Sequence, residues 1–460
     1  MCDCDESVNS SGSNIVEPRA LGGLGGDGEI IDPTCDPNNP KKLQFDQIAL
    51  AYVLLRDGIA KTPCDLAHLS KITGMSVYIK CEFMQHTGSF KERGARFAML
   101  QMSEEQRRRG CVAASAGNHA QAMCLHGLKL GIPITTVMPV IAPLMKIQKC
   151  KDMKGNVIVQ GENMAEAKAI AMKIARDTGA NYVNGYDNPH ILAGQGTCGI
   201  EILEQVPDVD AIVIPTGGGS LIAGVATAVK TLKPSVKIIG VESECCPGFS
   251  TSLAAGKPVT VVSKPSMADG LAVPTVGYNS IETAKGLVDR MILVKEEDIA
   301  VGILRLLELE KHIVEGAGAT PVAALLSGKL DQFIGKKVVL ILSGGNIDTT
   351  VLSRALERGL AADGRLIKIY VKVSDRPGGL SELTTLVASA GAVIKLISQE
   401  RAWVKMDVFS SEVKLVIETR DYAHVDEIKK VLTARYKDVR IEHVEFPASS
   451  AINQKFPSAY

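Results

Sequence analysis

Four short segments carry residue types that could do chemistry. In Gln85-His86-Thr87-Gly88-Ser89-Phe90-Lys91-Glu92-Arg93-Gly94-Ala95, Ser89 is expected to cap a helix whose first turn holds Lys91. The positive end of the helix dipole opposes an ammonium there and favours the neutral, nucleophilic amine. An isolated lysine in such a place would be an ordinary surface charge. Ala114-Ser115-Ala116-Gly117-Asn118-His119-Ala120-Gln121 gathers a hydroxyl, an amide and helix-start N–H groups, a seat for a carboxylate. N-capping by Ser115 would account for one polar residue of that cluster. His119 has no nucleophile beside it and reads as structural. Ile214-Pro215-Thr216-Gly217-Gly218-Gly219-Ser220-Leu221 runs from an apolar segment through three glycines into helical sequence. Such a run brings backbone N–H groups close to an anion at a helix start, and serves equally as a tight turn. It is neither a dinucleotide fingerprint nor a Walker motif. In Ile341-Leu342-Ser343-Gly344-Gly345-Asn346, Ser343 ends a buried strand and either faces a site or closes a turn.

These segments need strands and helices to hold them. Val77–Lys80, Ile134–Met138, Ala211–Ile214, Lys237–Val241 and Val338–Leu342 read as buried strands, and Met164–Thr178 and Ile299–His312 have helical spacing. Alternation of apolar strands with helices implies a mostly parallel, doubly wound α/β architecture, whose ligands collect at the carboxyl ends of the strands. Residues 1–44 are rich in Ser, Gly, Asn, Asp and Pro and are expected to be a disordered tail. Residues 45–362 are expected to form this α/β unit. Residues 366–446 have the order βαββαβ of a ferredoxin-like domain, and 447–460 read as a loose tail.

The 460 residues balance 51 Lys and Arg against 51 Asp and Glu, which gives no electrostatic case for nucleic acid or an anionic membrane as partner. No apolar run approaches the roughly 20 residues of a membrane helix. Met1–Glu6 is acidic and resembles neither a secretory nor a mitochondrial leader. The 11 cysteines are scattered, which fits reduced thiols in the cytoplasm; Cys2 and Cys4 lack the second pair a metal would need, and Cys245 and Cys246 read as free thiols.

Taken in order, lysine on a helix start, Ser-Ala-Gly-Asn, Gly-Gly-Gly and Ser-Gly-Gly-Asn resemble the fold-type II pyridoxal-phosphate enzymes. Ser89–Ala95 with Ser115–His119 resembles the threonine/serine dehydratase (ammonia-lyase) branch, and Val314–Ala319 and Ala268–Leu271 match further stretches of it. The resemblance covers about residues 45–360. It implies two doubly wound subdomains, with Lys91 forming the Schiff base to pyridoxal phosphate and acting as the catalytic base. It also implies that Phe90 packs on the ring, Asn118 bonds the ring hydroxyl and Ser343 meets the pyridine nitrogen. Gly217, Gly218, Gly219, Ser220 and Leu221 would wrap the phosphate. Ser115, Gly117 and His119 lie on the loop that holds the substrate carboxylate. The implied reaction converts L-threonine to 2-oxobutanoate and L-serine to pyruvate, each with release of ammonia.

Two departures matter. Serine racemases carry a second serine where this chain has Ala116, which can neither donate nor accept a proton, so elimination with little racemisation is expected. Glu242 matches the glutamate of a cation site in those relatives, but Gly248 stands where a second acid belongs, and no metal is assigned. The C-terminal unit, through Val373-Ser374-Asp375-Arg376-Pro377-Gly378-Gly379-Leu380, resembles an ACT domain; this implies an amino-acid effector and a homo-oligomer. The competing functions are a serine racemase with side elimination and a catalytically silent amino-acid sensor.

Overall fold

The computed structural model describes residue 32, residues 34–402 and residues 408–442. The tail expected over 447–460, the end of the 366–446 unit and most of the 1–44 segment lie outside the described residues. In chain order the strands are β1 (Cys64–Leu66), β2 (Ser76–Lys80), β3 (Cys111–Ala114), β4 (Ile134–Met138), β5 (Asn156–Val159), β6 (Asn181–Tyr182) and β7 (Ala211–Pro215). They continue as β8 (Lys237–Ser243), β9 (Arg290–Val294), β10 (Lys337–Ile341), β11 (Leu366–Ser374), β12 (Val393–Glu400), β13 (Ser410–Glu418) and β14 (Val439–Glu442).

Three sheets result. The large one has the order β1-β2-β10-β7-β8-β9, parallel except for the β1–β2 pair. The small one, β5-β4-β3-β6, is parallel throughout. Both are covered on two faces, because their strands alternate apolar side chains to each side. In the large sheet Val338 and Leu340 of β10 enter one core, Val339 and Ile341 the other. This is the doubly wound pair of subdomains expected of fold-type II. The third sheet, β12-β13-β11-β14, is antiparallel and carries the helices Gly379–Ser389 and Tyr422–Arg435 over its own apolar core, the βαββαβ order of a ferredoxin-like fold. No described helix is long and apolar enough to cross a membrane.

Two expectations change. Thr34–Gln44 is not loose chain: Cys35 and Leu43 are buried, Lys41 and Leu43 donate their backbone N–H groups to Asn279 and Thr283, and Asn188 donates to Thr34. Side-chain acceptors satisfy a polar backbone that its composition alone would leave in water. The helix expected over Ile299–His312 is α-helical only over Glu296–Arg305 and then widens into a π-turn, Leu306–Glu310, ended by Lys311 at φ 58°.

That π-turn meets the C-terminal unit. The helix Thr349–Ala362 and β11 are separated by Asp363, Gly364 and Arg365. Both Asp363 oxygens accept from Arg305 (2.8 and 2.7 Å), and Glu308 in the π-turn accepts from Arg305 (2.7 Å) and Arg365 (2.6 Å). From the other side Thr419 donates its N–H to Arg365 O, and the Tyr422 hydroxyl donates to Ala362 O.

Candidate active site

The four chemistry-bearing segments all follow the carboxyl ends of parallel strands: β2, β3, β7 and β10. Because β2 and β10 are neighbours, the lysine loop and the Ser-Gly-Gly-Asn loop leave the sheet side by side. Ser89 forms a bridge to Gly344, Phe90 donates its N–H to Ser343 O (3.0 Å), and Gly345 donates to Gly88 O (2.9 Å). The helix Lys91–Leu100 starts there, but its N-cap is Phe90, in helical geometry and without a side-chain bond. Ser89 does not cap it; its hydroxyl is buried without a partner. What holds the helix is a buried charge cluster. Arg93 donates to Glu82 (2.8 and 2.7 Å), Glu201 (2.7 and 2.8 Å) and Thr197 (3.1 Å), which uses all five of its N–H groups. Lys80 donates to Glu201, Gln205 and Thr62 O.

Lys91 reaches toward the small subdomain and donates to Gly185 O at 2.6 Å, with Nζ 5.0 Å from the Phe90 ring centroid. Burial brings its amine down to about 8, against the opposing charge of Glu315. A substantial neutral fraction therefore exists near neutral pH. Gly185 is where it is because the His119 ring lies against it: a Cβ there would stand 2.6 Å from the imidazole. His119 Nε2 donates to Val183 O (3.1 Å), which fixes the tautomer, and burial with the Lys91 charge pushes it down to about 3. His119 is a neutral wedge and not an acid.

Ser115, Ala116 and Gly117 form the turn from β3 to the helix Asn118–Leu130. Ser115 Oγ accepts from Gly117 N at 3.3 Å, and nothing lies within 4 Å of where a Gly117 Cβ would be, so this helix start opens onto free space. Across the site β7 runs into Gly217, Gly218 and Gly219 and the helix Ser220–Leu232. The N–H groups of Gly217 through Leu221 find no acceptor among the described residues. Gly219 takes φ 104°, and a Cβ there would meet Phe249 at 2.4 Å; one on Gly218 would meet Tyr186 at 2.4 Å. Glycine is required at both. Ser343 is buried, yet its hydroxyl has no hydrogen-bond partner among the described residues. Contacts link several of these segments: Lys91 to Gly185, Gly185 to His119, Ser89 to Gly344, and Gly344 to Asn118.

The sequence reading assigned no role to Glu315, Asn346 or Gly185. Asn118 donates to Glu315 (2.6 Å) and accepts from Asn346 (2.9 Å). The sequence signals for Glu315 are its place in Val314–Ala319, a stretch that resembles the dehydratase branch, and an acid just before an apolar helix; a backbone carbonyl such as that of Gly185 leaves none.

A buried amine, five unpaired N–H groups at a helix start, an unpaired serine hydroxyl and a fixed amide make a donor set for a phosphorylated aldehyde. A family model described as "Pyridoxal-phosphate dependent enzyme" matches residues 55–344. The chain belongs to that family. This pyridoxal-phosphate-dependent enzyme is 46% identical over 373 residues to the L-threonine ammonia-lyase of Thermotoga maritima, which covers 81% of this chain and 92% of the relative. Among solved structures it is similar to the processed form of threonine deaminase isoform 2 from Solanum lycopersicum. That match has a TM-score of 0.66 at 34% identity and covers 72% of this chain and 98% of that one. It is also similar to maize serine racemase, with a TM-score of 0.64 at 32% identity, covering 70% and 98%.

The residues fit the cofactor. On these donor types Lys91 would hold its aldehyde carbon, the Gly217–Leu221 amides its phosphate, and Asn118 and Ser343 the polar atoms of its ring. Glu242 accepts from the N–H groups of Phe249 (2.6 Å) and Ser250 (2.9 Å) at the start of the helix Gly248–Ala255.

Proposed function

We propose that this enzyme is a threonine/serine ammonia-lyase that converts L-threonine to 2-oxobutanoate and ammonia, and L-serine to pyruvate and ammonia. The observation that carries the reading is the buried Lys91 amine, brought down to about 8, in a chain whose Gly217–Leu221 turn leaves five N–H groups without an acceptor among the described residues.

The bound cofactor supplies an electron sink for the α-carbon of the amino acid. The chain's own groups do the rest. The helix start at Asn118, with Ser115 and the open turn at Gly117, presents N–H groups and a hydroxyl to the substrate carboxylate and so fixes which α-bond faces Lys91. Neutral Lys91 accepts the α-proton at Nζ. Ser343 offers a hydroxyl where an aspartate would hold a ring nitrogen protonated, and this favours loss of the β-hydroxyl over transamination. Ala116 puts a methyl group where a racemase needs a proton carrier, so no group on that face can return a proton from the opposite side. His119, held neutral with its Nε2–H engaged, excludes water and does not titrate near neutral pH.

The C-terminal unit is proposed to bind an amino-acid effector, and the enzyme to work as a homo-oligomer in the cytoplasm. Support for pairing comes from β12, an edge strand that leaves Val393, Leu396 and Ile397 exposed. Support for the compartment comes from the nine described cysteines, all free thiols.

The test is 2-oxo acid release from L-threonine and L-serine by the holoenzyme, with Lys91→Ala as control. Product from the wild type alone is expected. Absence of product from both amino acids, with cofactor bound, would refute the ammonia-lyase and leave the racemase or the sensor.

A further inference from the structure

Glu315 stands before the helix Gly316–Leu326 with its carboxylate inside the cleft, 5% exposed and without a Lys or Arg within ion-pair distance among the described residues. The fold makes room for it. A Cβ on Gly344 would come within 2.3 Å of Oε1, so the lack of a side chain there opens the notch in which the carboxylate lies.

The direction of the hydrogen bonds around it is determined by elimination. Asn346 Nδ2 lies 2.6 Å from Thr87 O, a carbonyl that can only accept, so that atom is the amide nitrogen. It also lies 2.9 Å from Asn118, so the Asn118 atom facing it is Oδ1. Asn118 must then turn Nδ2 toward the cleft, where Glu315 Oε1 accepts one of its two hydrogens at 2.6 Å. The other hydrogen remains available. The network diverges from Asn346 Nδ2, which donates to Thr87 O and to Asn118 Oδ1, and the Asn118 branch ends on the Glu315 acceptor.

We infer that Glu315 is a positioning residue: it fixes the Asn118 amide with its donor toward the cofactor ring, and it supplies the buried negative charge against which the Lys91 amine is set. The inference rests on the roles proposed above for Asn118 and Lys91.

The charged groups facing Glu315 are Lys91 from its own helix, Asp269 from the turn Asp269–Leu271, and Lys146 from the helix Leu144–Asp152 of the small subdomain; Lys146 pairs with Asp269 at 3.5 Å. Burial, then Asp269, push the Glu315 carboxyl up to about 7, while Lys146 and the Asn118 bond pull against them. Above that pH the group is a charged acceptor for Asn118. Below it the charge is gone and the bond from Asn118 weakens, so the positioning fades as pH falls through neutrality.

The experiment uses holoenzyme and compares wild type, Glu315→Gln, Glu315→Ala and Asn346→Ala. The absorbance of bound cofactor is titrated from about pH 6 to 9, and kcat and KM for L-threonine are read beside it. Glu315→Gln keeps an acceptor oxygen and loses the charge. It is expected to abolish the spectral transition near neutral pH and to lower kcat about 10–100-fold with KM nearly unchanged, the usual scale for a group that orients a reacting one. Glu315→Ala and Asn346→Ala are expected to weaken cofactor binding as well, because either one frees the Asn118 amide. If Glu315→Ala does not fold, the near-isosteric Gln variant decides alone. A transition that persists unchanged in Glu315→Gln, with kcat within about twofold, overturns the inference. If the wild type makes no 2-oxo acid but Glu315→Gln still moves the cofactor titration, the ammonia-lyase reading fails and this one stands.

Discussion

Removing Arg93 tests whether the charge cluster behind the lysine helix acts as one electrostatic unit. Arg93 and Lys80 face Glu82 and Glu201 in a region closed to solvent, two cations against two anions. Arg93→Met fills much of the same volume but leaves both carboxylates facing Lys80 alone. One uncompensated buried charge costs about 3–5 kcal/mol. Lys80 is already committed to Glu201, so the stranded group is Glu82, left with Thr62 and Gln85 as donors. Arg93→Met/Glu82→Gln restores neutrality and is expected to recover about 2 kcal/mol relative to the single variant. Urea unfolding followed by far-UV circular dichroism is the assay, since guanidinium would screen the charges under test. Burial alone would raise Glu82, but Arg93 overrides it and holds the carboxyl below its usual range. The wild type therefore has this stabilisation above the ordinary carboxylate range and loses it as pH falls through the lower folded value; the double variant should show no such loss from this group. A double variant as unstable as the single one would refute the electrostatic account and leave shape alone as the reason for Arg93.

Capture of pyridoxal phosphate by apoprotein should quicken with rising pH up to about 8, because the neutral Lys91 amine is the attacking form, and stopped-flow absorbance reads this directly. Gly219→Ala forces a side chain onto φ 104° and against Phe249, and should weaken cofactor binding at least about tenfold in a fluorescence titration, equivalent to about 1.4 kcal/mol. Ala116→Ser installs a hydroxyl on the face that lacks a proton carrier; chiral chromatography of residual serine should then show D-serine, absent with the wild type.

The strands and helices were legible wherever one period ran unbroken: Ile134–Met138 and Met164–Thr178 match their expected bounds residue for residue. The four loops were legible because glycine, serine and lysine types cluster where strands end. Three things were hidden for physical reasons. Glu315 acts on Asn118 across 197 positions of sequence, and nothing local marks the partner. The Lys91 acceptor is a main-chain carbonyl, which any residue type could offer. Thr34–Gln44 docks through its backbone onto Asn279 and Thr283, and its polar composition shows only what the segment cannot bury. The misplaced cap at Ser89 has a similar origin: Phe90 already takes helical geometry, and Ser89 is held by a bridge to the distant Gly344 with its hydroxyl buried and unbonded.

The three residues between the helix Thr349–Ala362 and β11 have no slack, being held on one side by Arg305 and Glu308 and on the other by Thr419. A tether of such length stores no reach, so the C-terminal unit cannot search for a partner independently of the body that carries it. In the homo-oligomer proposed above, the way two such units met would set the angle between the two bodies that carry them.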